Sequence, residues 1–146
     1  MSFGPAMVQS TAWSLDPQLA RDGAMIGDLP LARVLAMNDA NYPWLVLVPR
    51  VAGAVEIIDL DDAQQAQLMD EIAMLSRVLK DTTHCDKLNV AAIGNVVAQL
   101  HVHIIARRRD DAAWPRPVWG AVPAREYEAA ELARFIAGIR QEVAFG

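Results

Sequence analysis

The sequence predicts an α+β fold, with a mostly antiparallel five-stranded sheet and two main helices. Short apolar segments rich in β-branched residues alternate with turn residues, and two long segments carry apolar residues at helical spacing. Hydrophobic residues make up 53% of the 146 residues and charged residues 21%, which is enough apolar material for a core. We therefore expect one domain over residues 1–146, with residues 1–14 as a loose N-terminal arm.

The first half of the chain predicts a short helix followed by two strands. Residues 16–23 begin with aspartate and proline and end with glycine, an order typical of a capped helical turn. Residues 31–37 predict a strand, and residues 38–43 predict the loop after it. The apolar run over residues 44–48 ends at Pro49 and predicts a strand buried on both faces.

The second half predicts the two main helices and a hairpin between them. Apolar residues recur at helical spacing over residues 61–80, and acidic residues stand at the start, where a helix dipole is positive. Residues 87–93 and 97–106 predict two strands joined by a turn at Gly94-Asn95. Residues 124–143 predict the closing helix.

Charge and cysteine content exclude several classes of function. The formal net charge of −5 opposes binding of a nucleic acid polymer. No apolar run is long enough to span a bilayer, and residues 1–13 do not resemble a secretory signal. The lone cysteine, Cys85, fits a reducing compartment. We expect a cytoplasmic protein that binds a small molecule and does not act at a membrane.

The most informative pattern is formed by Gln99, His101 and His103. Alternate side chains of a strand share one face, so these three would face one way while the apolar residues between them enter the core. Two of the three histidines in the chain are placed together in this way. After the motif, Arg107–Arg109 are followed by two aspartates, which predicts a solvated and partly self-neutralised loop.

Three interpretations of the paired histidines are open. They are the polar face of a half-exposed strand, or they hold a metal, or they perform phosphate chemistry. A metal site would need further ligands, for which His84 and Cys85 are the only soft candidates; with no Cys-x-x-Cys pair, we expect no metal and no cofactor. For phosphate chemistry, a neutral imidazole is a nucleophile at pH 7 and a protonated one is a charged donor to a phosphate oxygen.

Residues 99–105, Gln-Leu-His-Val-His-Ile-Ile, resemble the histidine-triad motif His-φ-His-φ-His-φ-φ with glutamine in the first place. The resemblance extends from about Leu31 to Arg108. It includes Asn38-Asp39, the proline-ended strand, and Asn89 with Gly94-Asn95 ahead of the motif. The run over residues 107–120 is similar to a bacterial branch of the same family.

The resemblance implies a homodimer with a continuous antiparallel sheet, which binds purine nucleotides and transfers or hydrolyses nucleoside phosphoryl groups through a nucleotidyl-histidine. Expected substrates are dinucleoside polyphosphates or nucleoside phosphoramidates. The implied catalytic positions are His101 as nucleophile, His103 at the α-phosphate, and Gln99 near the leaving group. The implied substrate-binding positions are Asn38 at the ribose and Asn89, Gly94 and Asn95 around the phosphate.

The sequence departs from the family pattern at three positions. Gln99 can donate a hydrogen bond but cannot transfer a proton to a leaving group, although its main-chain carbonyl can still orient His101. Trp44 is the residue nearest to where the family has an additional histidine, and Val96 stands where a phosphate-binding hydroxyl is common. Two functions are therefore open: a nucleotide hydrolase or transferase acting through His101, and a non-catalytic purine-nucleotide binding or sensor protein.

Overall fold

The structure is a computed structural model that describes residues 12–146. Five antiparallel strands form one sheet in the order β1-β2-β3-β5-β4. The strands are β1 Gly23–Asp28, β2 Ala32–Met37, β3 Trp44–Pro49, β4 Lys87–Ala91 and β5 Val102–Arg107. The α-helices of the described residues are α1 Pro17–Asp22, α2 Asp62–Thr83 and α3 Ala129–Glu142. The predicted α+β class with an antiparallel five-stranded sheet is confirmed.

Helix α1 begins as the sequence predicts, because the Asp16 carboxylate accepts the backbone N–H of Gln18 at 2.8 Å. The backbone of Gly23 is extended, and strand β1 starts there without a loop. Strand β1 is not among the elements that the sequence predicts. Its sequence, Gly-Ala-Met-Ile-Gly-Asp, contains two glycines and one β-branched residue, so local propensity does not favour a strand and pairing with β2 imposes it.

Strand β3 organises the two faces of the sheet. It lies between β2 and β5 and is buried at every position, as predicted for residues 44–48. One face packs Leu45 and Leu47 against the buried side of α2 and against α3. The opposite face packs Trp44, Val46 and Val48 into a second cluster with Tyr42, Leu19 and Val118. The second face carries the paired histidines.

Helix α2 is fixed at both ends by local hydrogen bonds. The Asp61 carboxylate accepts the N–H of Gln64 at 2.8 Å, and the Gln64 side chain accepts the N–H of Asp61 at 2.9 Å. The helix runs slightly beyond the predicted end at residue 80 and stops at His84, whose φ of 53° is left-handed. Its apolar stripe is buried, as predicted.

The strand predicted over residues 97–106 is wrong in its first half, and Gly94-Asn95 do not form a tight hairpin turn. Strand β5 starts at Val102, and residues 92–101 form an irregular loop. The backbone N–H of Leu100 donates to the Ala54 carbonyl at 3.0 Å, outside the sheet, which draws the chain away from β4. Gly94 has a φ of 63°, and a Cβ there would lie 2.9 Å from the Val97 carbonyl oxygen, so the loop needs glycine at this position.

The closing helix is shorter than the predicted range of residues 124–143. The residues before it are not helical and bond to the loop after β2, where the N–H of Tyr127 donates to the Asn38 side chain at 2.9 Å. The N–H of Arg125 donates to the Asp39 carboxylate at 3.3 Å. Because these N–H groups have side-chain acceptors, the helix begins only at Ala129.

Of the predicted loose arm, residues 1–11 lie outside the described residues, and the expectation of a single domain over the whole chain stays a prediction. Trp13 is half-buried and packs on the second cluster. Within residues 12–146, no helix combines the length and apolar character that crossing a membrane requires.

Replacing Glu71 by alanine is expected to lower the free energy of unfolding by about 2–4 kcal/mol. Glu71 is 2% exposed on α2, and its carboxylate accepts the backbone N–H groups of Leu31 and Ala32, each at 2.9 Å. Both N–H groups lose their acceptor in Glu71→Ala. Urea denaturation measures the change, and Asp70→Ala, at the exposed neighbouring position, is the control with an effect within about 0.5 kcal/mol. Equal effects of the two substitutions would contradict the assignment.

Candidate functional site

The candidate site is a cavity of about 590 Å³ on the sheet face that does not pack against α2. Helix α1 forms one wall and the loop of residues 92–101 forms another. The start of β5 supplies the histidines, and Trp44 and Trp119 complete the lining. The cavity therefore lies where the irregular loop passes into the sheet.

His101 and His103 lie side by side in this cavity although only His103 belongs to the strand. They are 6% and 4% exposed, and their ring centroids are 4.9 Å apart. The structure brings both predicted histidines together, through the loop conformation at residue 101 and not through strand alternation alone.

The tautomer of His101 follows from its main-chain partner. Its Nδ1 atom lies 2.7 Å from the carbonyl oxygen of Gln99. A carbonyl oxygen only accepts hydrogen bonds, so the proton is on Nδ1. In the neutral ring the lone pair is therefore on Nε2, which makes this the nucleophilic atom.

The tautomer of His103 is the opposite one. The indole N–H of Trp44 donates to Nδ1 of His103 at 3.0 Å, and an indole nitrogen can only donate. The proton of His103 is therefore on Nε2. Burial, followed by the charge interaction with His101, lowers the pKa of His103 to about 4. His103 is thus neutral at pH 7, with its N–H on Nε2.

Trp119 reaches the site from the long loop after β5. Its ring centroid is 5.1 Å from that of His103 and 5.8 Å from that of Trp44, both with edge geometry. The three rings form one aromatic group over the second face of the sheet. Trp119 is 37% exposed, so it lies at the mouth of the cavity.

Arg107 and Asp111 hold the start of this loop, and the prediction of a solvated loop is wrong for Arg107, which is 1% exposed. Its guanidinium donates to both carboxylate oxygens of Asp111, at 2.8 and 3.0 Å. Burial alone would raise the pKa of Asp111, but this pair and three backbone N–H donors lower it to about 2. Arg108 and Arg109 are exposed, as predicted.

Two of the predicted substrate-binding residues, Gly94 and Asn95, line the cavity beside His101. They also line a neighbouring cavity of about 360 Å³, which reaches His101 from the other side of the loop. The loop therefore separates two spaces that meet at the same imidazole.

Asn38 and Asn89 lie farther from the histidines. Asn38 lines a separate cavity of about 290 Å³ that shares Asp22, Met37 and Trp44 with the histidine cavity. Asn89 lines neither cavity that reaches His101, and its side-chain oxygen accepts a hydrogen bond from Arg107 at 2.8 Å.

The Gln99 side chain lies against the segment before α1. Its Oε1 accepts the N–H of Asp16 at 2.9 Å, and its Nε2 donates to the carbonyl of Ser14 at 2.8 Å. The residue thus contributes its main-chain carbonyl to His101 and its amide to a distant part of the chain.

Positive side chains do not line either space around His101. Among the described residues that form the two cavities, none is lysine or arginine, and the charged ones are Asp22 and Glu56. Residues 12–146 likewise contain no group of three or more histidine, cysteine, aspartate or glutamate side chains that could hold a metal ion. Cys85 is buried and His84 is exposed at the end of α2.

Sequence reasoning did not assign the Trp44–His103 hydrogen bond or the wall made by α1. The Trp44–His103 hydrogen bond could be predicted only once the pairing of β3 with β5 is known. In that register Trp44 is opposite Ile105, which places it diagonal to His103 on the same face of the sheet. Arg107 was missed because a buried arginine within a run of charged residues carries no pattern of its own.

Comparison with known proteins identifies the family. The HIT domain family matches residues 18–110. A solved histidine triad protein from Bradyrhizobium japonicum is 61% identical, with a TM-score of 0.90 and coverage of 91% of this chain and 99% of that chain. One from Sinorhizobium meliloti is 43% identical, with a TM-score of 0.88 and coverage of 90% and 97%. One from Marinobacter aquaeolei is 41% identical, with a TM-score of 0.86 and coverage of 90% and 99%.

No curated protein sequence matches the chain. The family match spans more than half of the chain, and the similar structures share its fold over nearly their whole length. The chain belongs to the histidine-triad (HIT) family.

Proposed function

We propose that the protein binds a purine nucleotide in the cavity beside His101 and hydrolyses or transfers its nucleotidyl group. The substrates are dinucleoside polyphosphates or nucleoside phosphoramidates. Family membership supports a function of the nucleotide-binding or hydrolase type. The observation that carries the proposal is the pair of opposite tautomers, because one imidazole presents a lone pair and its neighbour presents an N–H.

In the proposed reaction, Nε2 of His101 attacks the α-phosphorus and forms an N–P bond. The P–O or P–N bond to the leaving group breaks, and the leaving group departs with the electron pair. The imidazole becomes positively charged in this step, which strengthens the hydrogen bond from its Nδ1–H to the Gln99 carbonyl. Water, or the hydroxyl of a second acceptor, then forms a bond to the phosphorus and loses its proton to solvent. The N–P bond breaks, and its electron pair returns to Nε2 of His101.

His103 stabilises the phosphate as a hydrogen-bond donor. Its Nε2–H donates to a non-bridging phosphate oxygen, and the Trp44 hydrogen bond on the other ring nitrogen keeps the ring oriented. Donors that are fixed before the reaction lower the barrier because they need no reorganisation as charge develops. Gly94 and Asn95 lie on the cavity wall beside the attacking imidazole, where the resemblance expects phosphate contacts.

The leaving group receives no proton from residue 99, because an amide does not titrate. Substrates whose leaving group is stable as an anion, or takes its proton from water, are therefore favoured. The same observation favours the second candidate, a purine-nucleotide sensor without turnover. Val96, 93% exposed and without a hydroxyl, is the other feature that favours it.

We further propose that the protein is a cytoplasmic homodimer. Strand β4 is an edge strand, so its outer backbone groups are available to continue the sheet into a second copy. Val90 on this strand is 48% exposed, and Ile58, near the second cavity around His101, is 83% exposed. Cys85 is the only cysteine, which agrees with a reducing compartment.

Trp44→Phe keeps an aromatic ring but removes the N–H that donates to His103. We expect the pKa of His103 to rise from about 4 by about one unit, since a hydrogen bond to the neutral form disfavours protonation. Titration of the histidine ring signals by NMR measures it. Trp119→Phe is the matched control, because this ring also contacts His103 but donates no hydrogen bond to it. A His103 pKa that moves equally in both variants argues against the assigned tautomer.

The lowered pKa of His103 also makes the free energy of unfolding of the wild-type protein depend on pH. Because the pKa in the folded protein, about 4, is below the ordinary value of 6.5, the unfolded chain binds a proton in this pH range and the folded protein does not. The free energy of unfolding is therefore unaffected by this group above pH 6.5 and decreases as the pH falls towards 4. In Trp44→Phe the loss is expected to be smaller.

His101→Ala is expected to abolish the covalent nucleotide and to lower turnover by at least about 10³-fold, since the nucleophile is removed. Wild-type protein and variant are incubated with adenosine phosphoramidate or a diadenosine polyphosphate, quenched without acid, and analysed by mass spectrometry. His84→Asn is the control: it changes the exposed third histidine to a residue that tolerates the left-handed backbone. Nucleotide binding by wild type without product or adduct would select the sensor function.

Val90→Lys is expected to weaken the dimer by at least about tenfold, because it places a charge at the centre of the proposed contact. Analytical ultracentrifugation measures the mass against the 16.0 kDa of one chain. Met25→Lys on β1, the opposite edge of the sheet, is the matched control because both side chains are 48% exposed. A monomeric wild-type protein, or equal weakening by both substitutions, would exclude this interface.

A further inference from the structure

The amide of Gln99 is engaged at both of its ends by a remote segment of main chain. Its oxygen accepts the N–H of Asp16 and its nitrogen donates to the carbonyl of Ser14, at 2.9 and 2.8 Å. The two partners are two residues apart in the chain, so the amide pairs with this segment as a neighbouring strand would. A side chain held at two points has a fixed direction and a low conformational freedom.

The segment held in this way leads directly into α1. Asp16 is the N-cap of that helix, and its carboxylate accepts the N–H of Gln18 at 2.8 Å. Gln18, Leu19 and Asp22 of α1 then line the same cavity as the two histidines. A displacement at Ser14 or Asp16 therefore moves a wall of the nucleotide cavity.

Among residues 12–146, the other contacts of residues 14–22 include the burial of Leu19 in the second cluster and the Asn38 N–H, which donates to the Asp22 carbonyl at 2.9 Å. The part before α1 is held by apolar packing. Trp13 and Leu15 pack on the second cluster, and the Arg33 guanidinium lies 5.2 Å from the Trp13 ring centroid. Both apolar residues are only partly buried, so their packing is weaker than that of the core strands. The two hydrogen bonds of Gln99 supply the directional contacts at the start of the segment, at Ser14 and Asp16.

We propose that Gln99 is a positioning residue, which clamps residues 14–22 as a wall of the nucleotide cavity and so determines how tightly a nucleotide binds. The same residue holds His101 through its main-chain carbonyl. Gln99 thus contacts both the proposed nucleophile, through its carbonyl, and the segment that leads into the cavity wall, through its amide. These contacts hold the two at a constant separation. The inference rests on the proposed function for the identity of the ligand; the clamp itself rests on the two hydrogen bonds.

A different role for Gln99 makes a different prediction. Only one of its two amide protons is used on Ser14, so the second could donate to a leaving group. In that case a substitution would slow poor leaving groups more than good ones and would leave residues 14–22 in place. The clamp instead predicts a looser segment and weaker binding of a nucleotide that has no leaving group at all.

The test uses the full chain and adenosine monophosphate as the probe. Gln99→Met has a similar length and no hydrogen-bonding amide. We expect amide hydrogen exchange at Asp16 to accelerate by about tenfold and the Kd for adenosine monophosphate, measured by calorimetry, to rise by at least about fivefold. Gln99→Glu keeps an acceptor for the Asp16 N–H but loses the donor to the Ser14 carbonyl, so exchange at Asp16 is expected to accelerate less than in Gln99→Met.

Unchanged exchange at Asp16 in Gln99→Met overturns the clamp, and faster exchange with an unchanged Kd overturns its role in binding. The proposal is also overturned if Gln99→Met lowers only the turnover rate, and lowers it more for poor leaving groups than for good ones. That result would assign Gln99 to the leaving group. Failure of the proposed function is seen separately, as a wild-type protein that does not bind adenosine monophosphate; exchange at Asp16 then still decides whether Gln99 holds the segment.

Discussion

The chemistry of the site depends on the single hydrogen bond between the Trp44 indole and Nδ1 of His103. It leaves the ring with one proton, on the nitrogen that is free to meet a ligand. The neighbouring His101 has its proton on the other nitrogen because a carbonyl and not an N–H is its partner. Two identical side chains thus differ in tautomer through what their Nδ1 atoms contact, and the partners are an indole on β3 and a main-chain carbonyl of the loop before β5.

Much of the fold could be predicted because its determinants are local. Asp16 and Pro17 start α1, the Asp61–Gln64 pair starts α2, and the apolar run of β3 has the composition of a central strand. The errors occur where distant contacts outweigh local preference. Strand β1 forms by pairing with β2, and the first part of the predicted motif strand is lost because Leu100 bonds to Ala54. Neither contact leaves a periodic signal in the sequence.

The candidate site was predictable to the extent that it is contained in one segment. His101 and His103 are two residues apart, and Gly94 and Asn95 precede them on the loop, so all four lie in one cavity. Asn38 and Asn89 are instead occupied by Tyr127 and Arg107, which come from the loop before α3 and from β5. Side chains supplied from elsewhere, above all Trp119, depend on a long loop whose course is set by the buried Arg107–Asp111 pair.

Among residues 12–146, neither a lysine nor an arginine lines the cavities around His101, and the buried Arg107 is already paired with Asp111. An anionic group that settles there is therefore held by aligned dipoles of neutral donors, not by opposite charge. Dipolar contacts act over short distances and gain little from the release of counterions, so ionic strength has little influence on affinity at such a site. A nucleotide bound as proposed would be selected by shape and donor placement at close range, with no long-range steering from the described lining of the cavity.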